Sequence, residues 1–122
     1  MKIFIIGLAL TLLCLSSSAQ REKTSFSNIE VVTTSAGLAA QLTWKKGTEN
    51  ISYFIVERST DGIDYKQCGI VFLSEDPLFN EYKFRDKIAS NTSEVLYRIG
   101  IVTDKKRLHY LPAKKIIVTE SL

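Results

Sequence analysis

Residues Tyr53 to Gly62 read Y-F-I-V-E-R-S-T-D-G. Four large apolar residues run directly into Glu57-Arg58-Ser59, so the stretch is either a reactive cluster or the polar end of a strand entering its turn. Strand geometry separates the two readings, because successive side chains on a strand point to opposite faces. Phe54 and Val56 then face a core, and Tyr53, Ile55 and Glu57 face outward. Glu57 and Arg58 point apart and cannot converge on one substrate. Asp61-Gly62 is a turn signal. A two-residue Asp-Gly hairpin would pair Thr60 with Ile63 and place Cys68 outward beside Ile55. A longer loop or a bulge would turn Cys68 inward, and the longer loop is the expectation.

The same alternation recurs along the chain. N-I-E-V-V-T-T places Ile29, Val31 and Thr33 on one face, and L-A-A-Q-L-T-W-K places Leu38, Ala40, Leu42 and Trp44 on one face. A strand over residues 63–72 follows the turn. After a loop holding Pro77 come Y-K-F-R-D, E-V-L-Y-R-I-G-I-V-T and L-H-Y-L-P-A-K-K-I-I-V-T, the last interrupted by Pro112. β-Branched and aromatic segments between turn clusters, with hardly a helical signal, describe an all-β chain: a seven-stranded antiparallel Greek-key β-sandwich.

The N-terminus has a different pattern. Lys2 precedes the apolar run Ile3 to Leu15, and small residues follow at Ser17 and Ala19. This is a secretory signal peptide, residues 1–19, with cleavage expected after Ala19. The run is shorter than the roughly 20 residues of a spanning helix, so no membrane span is expected after cleavage. The mature domain, residues 20–122, suits one core. Cleavage removes one charge, Lys2, and lowers the net charge from +3 to +2. That balance, with short and scattered basic clusters, argues against nucleic acid. Cys68 alone remains, so no internal disulfide forms.

The segments L-T-W (42–44), Y-F-I-V-E-R-S-T-D-G (53–62), Y-K-Q-C-G-I-V (65–71), Y-K-F-R-D (82–86) and L-Y-R-I-G-I-V-T-D (96–104) resemble the fibronectin type III domain, an immunoglobulin-like fold. The likeness is to the version found in exported and surface proteins of Bacteroidetes. It covers most of the mature chain. The resemblance implies a buried Trp at Trp44 and a strand-F Tyr at Tyr97, whose hydroxyl it directs to a backbone group at the strand E to F corner. It implies Sec export to the periplasm, the cell surface or beyond. No sorting domain follows Leu122, so the resemblance does not imply transport across the outer membrane by that route. The turn D-K-K-R departs from the family in lacking Gly.

Chemistry-bearing motifs are sparse. His109 has no carboxylate or nucleophile at a motif spacing. Glu75 and Asp76, joined by Glu81, are weak calcium ligands without an Asp-x-Asp-x-Asp-Gly pattern. No catalytic residue, cofactor or metal is expected. The expected core holds Trp44, Phe54, Val56, Tyr97, Ile99 and Ile101. Glu57 and Arg98 are expected to form a cross-strand ion pair, worth at most about 1 kcal/mol if exposed. Tyr53, Ile55, Leu96 and Val102 form the candidate interaction surface. The expected function is a non-enzymatic module at the bacterial cell envelope, for protein-protein interaction or structural support, with a protein partner. The alternative is a small carbohydrate-binding module whose platform is Tyr53, Tyr82 and Tyr110. Burying Trp44 removes upwards of about 150 Å² from water, worth several kcal/mol at about 25 cal/mol per Å². Trp44→Ala is therefore expected to abolish the cooperative thermal transition, and a melt within a few degrees of the parent would contradict this.

Overall fold

The computed structural model describes residues 23–118, and the segment expected to be a signal peptide, residues 1–19, lies outside them. Antiparallel strands form two sheets: β1 (Ser25–Thr34), β2 (Gly37–Lys45) and β5 (Glu81–Lys87) in one, and β3 (Ile51–Ser59), β4 (Lys66–Phe72), β6 (Glu94–Thr103), β7 (Leu108–Tyr110) and β8 (Lys114–Ile117) in the other. The smaller sheet runs β1-β2-β5. The larger runs β4-β3-β6-β7, with β8 also paired to β6. The chain passes between sheets three times, after β2, β4 and β5. This is an all-β sandwich. Among the described residues no helix is long and apolar enough to cross a membrane.

Local chemistry explains where strands start and stop. Thr34 and Gly37 are register partners across a tight hairpin. There the Thr34 hydroxyl donates to Gly37 O (2.9 Å), and Gly37 takes φ 117°, which its missing side chain allows. The final expected strand divides at Leu111–Ala113, so seven expected strands become eight segments, β7 and β8 both lying against β6. Pro112 has no N–H to offer a ladder, which accounts for the break. The first strand starts earlier than expected, at Ser25, with a bulge between Phe26 and Asn28 that turns Phe26 into the core. The strand after Gly62 starts later than expected. Ile63 to Tyr65 belong to the loop, where one Asp61 carboxylate oxygen caps the N–H groups of both Ile63 and Asp64.

The register after Gly62 is thereby explicit. Arg58 pairs with Lys66 and Glu57 with Gln67; then a bulge intervenes, and Val56 pairs with Gly69. A long loop and a bulge act together. They place Cys68 against the core, its thiol donating to Val56 O at 3.4 Å. The turn after β6 needs a left-handed residue, and Lys106 supplies it at φ 61°.

Inner faces meet around an aromatic cluster. Trp44 stacks on Tyr82 (6.2 Å between centroids) and meets Phe54 edge-on at 5.4 Å. Trp44, Phe54, Val56, Tyr97, Ile99 and Ile101 are fully buried, as is Leu42, in a core that Val95 and Ile116 extend. At β4 the fit depends on a missing side chain. Gly69 faces Phe84 of the opposite sheet, and a Cβ there would fall inside that ring's envelope. Gly69→Ala is expected to cost about 1–3 kcal/mol by overpacking. Phe84→Leu in the same chain should recover part of the loss. Urea unfolding midpoints check both, and an unchanged midpoint for Gly69→Ala would contradict the contact.

Candidate functional site

Two places gather polar or exposed aromatic groups: the open end of the sandwich around Asp86, and the outer face of the larger sheet. The first follows from alternation on two strands. Tyr82, Phe84 and Asp86 share the inner face of β5, and Arg58 continues the inner face of Phe54 and Val56 on β3. Asp86 therefore lies between the sheets. Arg58 Nη1 donates to both its oxygens (2.7 and 2.6 Å), and the Tyr97 hydroxyl donates to Oδ2 at 2.7 Å. The hydroxyl expected to reach a backbone group is thus held by a carboxylate. The reason is local: Y-K-F-R-D puts an acceptor on the inner face opposite Tyr97.

Burial and the Asp86 charge shift the ionisable groups around Asp86. Burial, then the bond to Asp86, pushes the Tyr97 phenol well above its usual range. Burial, then the charge of Asp86, pushes the Cys68 thiol up to about 12, so it stays protonated and non-nucleophilic at neutral pH. The bond to Asp86 raises Arg58 further against the opposing effect of burial.

The outer face of the larger sheet is built on register. Glu57 and Arg98 are direct partners on β3 and β6, and Arg98 Nη2 lies 2.7 Å from Glu57 Oε1. The Arg98 guanidinium is sandwiched between two rings, 3.9 Å from the Tyr65 centroid and 3.7 Å from that of Tyr110. The Tyr110 hydroxyl donates to Glu57 Oε2 at 3.0 Å. Gly100 makes room for this, since a Cβ there would stand 3.0 Å from Tyr110 and 3.1 Å from Leu108. Beside this stack Tyr53 packs on Phe72 with centroids 5.9 Å apart.

The structure sorts the sequence candidates for this surface. Tyr53 pairs with Val102, and Ile55 lies opposite Gly100, so those three cluster. Val102 is only 8% exposed, so it supports the face without presenting it. Leu96 is opposite Ser59 and Lys115, on the far side of Arg98, and is set apart from the others. The residues that do present apolar surface are Phe72 (72% exposed), Leu108 (48%) and Ile70 (44%). Alternation marks Ile70 and Phe72 as a same-face pair, but assigning that face required the bulge at Cys68. The aromatic platform does not form: Tyr82 is buried beneath Phe79, and its hydroxyl accepts from Ser74 N–H at 3.2 Å.

The remaining candidates have structural partners. His109 Nε2 is 3.7 Å from Glu49 Oε2. Glu49 accepts both the N–H and the hydroxyl of Thr24, which ties the first strand to the 46–50 turn. Burial works to raise the Glu49 carboxyl, yet the Thr24 bonds, His109 and Lys46 together hold it below its usual range. The Thr24 hydroxyl donates to the Glu49 carboxylate and makes no bond to the imidazole. Asp76 caps Leu78 N–H at 2.9 Å within its own turn. No group of three or more His, Cys, Asp or Glu side chains among the described residues is placed to hold a metal ion.

No protein-family model matches the chain, and no curated protein sequence does. Solved structures do. A β-1,2-glucanase from Parabacteroides distasonis matches with a TM-score of 0.59 at 15% identity, over 85% of this chain and 13% of that one. A pectate lyase from Pectobacterium carotovorum matches at 0.56 and 18% identity, over 77% of this chain and 27% of the other. Pectate lyase PelI from Erwinia chrysanthemi, solved with tetragalacturonic acid, gives 0.56 at 13% identity, over 77% and 28%. At these identities the likeness is one of fold. The chain spans about an eighth to just over a quarter of the length of those chains. The class so defined is a small β-sandwich module similar in fold to parts of carbohydrate-active enzymes.

The Asp86 cluster makes two predictions. Asp86→Asn should cost about 1–2 kcal/mol, the lower part of the range for breaking a charged contact, because Arg58 is 43% exposed and screened by solvent. Tyr97→Phe should cost about 1 kcal/mol. Because the Tyr97 phenol is raised in the folded chain, the unfolded chain releases that proton first. Its stabilising contribution is complete below about pH 10, the range of a free phenol, and is lost progressively as pH rises above it. Denaturation of Tyr97→Phe between pH 9 and 11.5 should therefore show a shallower decline than the parent. Parallel curves would contradict this.

Proposed function

We propose that this chain is an exported, non-enzymatic module, fibronectin type III-like, that docks on a protein partner at the bacterial cell envelope through the outer face of its larger sheet. The observation that carries this reading is the exposed apolar group Phe72, Ile70 and Leu108 flanking the Tyr65–Arg98–Tyr110 stack. Aromatic residues and Arg, already held in place, are the side chains that dominate protein interfaces. Three strands packed on a sheet in the order β4-β3-β6-β7 support the fibronectin-like part of the reading. The non-enzymatic part is supported by the Cys68 thiol and the Tyr97 phenol, both held protonated within the fold.

A glycan-binding role draws support from the likeness to a glucanase and to pectate lyases. The burial of Tyr82 removes the middle of its aromatic platform, and the protein-docking reading is preferred.

Photo-crosslinking in the native host tests the reading. A photoreactive phenylalanine replacing Phe72 should yield one discrete protein adduct, and the same group replacing Glu30 on the smaller sheet should not. Equal adducts from both positions, or none from Phe72, would overturn it. Export is tested separately: N-terminal sequencing of the mature protein should begin at Gln20, and a chain beginning at Met1 would contradict signal cleavage.

A further inference from the structure

The ends of β3 and β5 and the loop 88–93 line a cavity of about 180 Å³ that opens to solvent beside Arg58, Thr60 and Lys87. Its polar side is Arg58, Thr60, Lys87 and Thr92, and its apolar side includes Ile88 and Val95. Asp86 at its base accepts three hydrogen bonds, two from Arg58 and one from Tyr97. Arg58 serves both Asp86 oxygens through Nη1 alone. Its Nε and Nη2 have no protein partner among the described residues, nor do the hydroxyls of Thr60 and Thr92. A guanidinium edge with two parallel N–H groups matches the two oxygens of a carboxylate. Arg58 and Asp86 offset each other in charge, so Lys87 leaves the cavity net positive.

We propose that this cavity binds a small organic monocarboxylate, its carboxylate on the Nε/Nη2 edge of Arg58 and the Thr60 and Thr92 hydroxyls, its apolar body against Ile88 and Val95. Size supports the class: an apolar cavity of about 150 Å³ admits benzene, and a four-carbon acid has the same number of heavy atoms. This site is separate from the docking face and does not depend on it.

Titration of the ¹⁵N-labelled chain with butyrate tests the assignment by amide chemical shifts. Butyrate should move the amides of Thr60, Lys87 to Thr92 and Val95 along one saturable curve. Butyramide, the same shape without charge, should leave them in place, and inorganic phosphate should bind at least several-fold more weakly. Arg58→Lys keeps the charge beside Asp86 but lacks the second N–H edge, and should weaken butyrate about tenfold. Thr92→Val leaves the Asp86 contacts intact and should weaken it about threefold, a check that stands even where Arg58→Lys fails to fold. Equal binding of butyramide or phosphate, shifts scattered over other basic residues, or no saturation at tens of millimolar would each overturn the proposal.

Discussion

A carboxylate set between two sheets is costly unless its partners are in place. Asp86 is the one buried acidic side chain among the described residues, and it belongs to the smaller sheet. Both of its partners, Arg58 and Tyr97, come from the larger one. The contact therefore does what apolar packing cannot. Trp44 against Phe54 and Tyr82 brings the sheets together, but aromatic burial tolerates small slides. Three hydrogen bonds on one carboxylate fix the position of β5 relative to β3 and β6. Gly69 under Phe84 adds a steric version of the same constraint at the β4 side.

How much of this was readable from residues alone depends on whether a feature is set by parity or by register. Parity is local: it put Phe54 with Val56, and Tyr97 with Ile99 and Ile101, on shared faces, while the burial of Trp44 and the inward turn of Tyr97 came with the fibronectin type III resemblance. The pairing of Glu57 with Arg98 needed one further assumption, that β3 neighbours β6. Register is not local. The bulge at Cys68 and the loop through Tyr65 decide where Ile70 and Phe72 point, and Gly69 in Y-K-Q-C-G-I-V hints at a bulge without fixing its place. The Arg58–Asp86–Tyr97 contact lay within reach, since inner-face parity of both Y-K-F-R-D and Y-F-I-V-E-R would have placed two opposite charges across the core. An expectation that Tyr97 turns to the backbone hid it.

The outer face of the larger sheet illustrates the same limit. Tyr53, Ile55 and Val102 cluster as their spacing implies, but the exposed area shifts toward Phe72 and Leu108 because β4 and β7 cover and extend the sheet. Tyr110 gains its place over Arg98 only because position 100 is glycine. Surface composition is thus an outcome of sheet order and of single missing side chains, and hydropathy along one strand does not report it.

A double-mutant cycle on Asp86→Asn and Tyr97→Phe measures most directly whether this contact holds the sheets as one unit. Urea unfolding of the parent, both single variants and the double variant gives the coupling free energy. A coupling of about 0.5–1 kcal/mol, up to the whole cost of Tyr97→Phe, is expected for directly bonded groups sharing one network. Losses that add to within about 0.3 kcal/mol would mean the two residues act independently, and the account of the sandwich given above would fail.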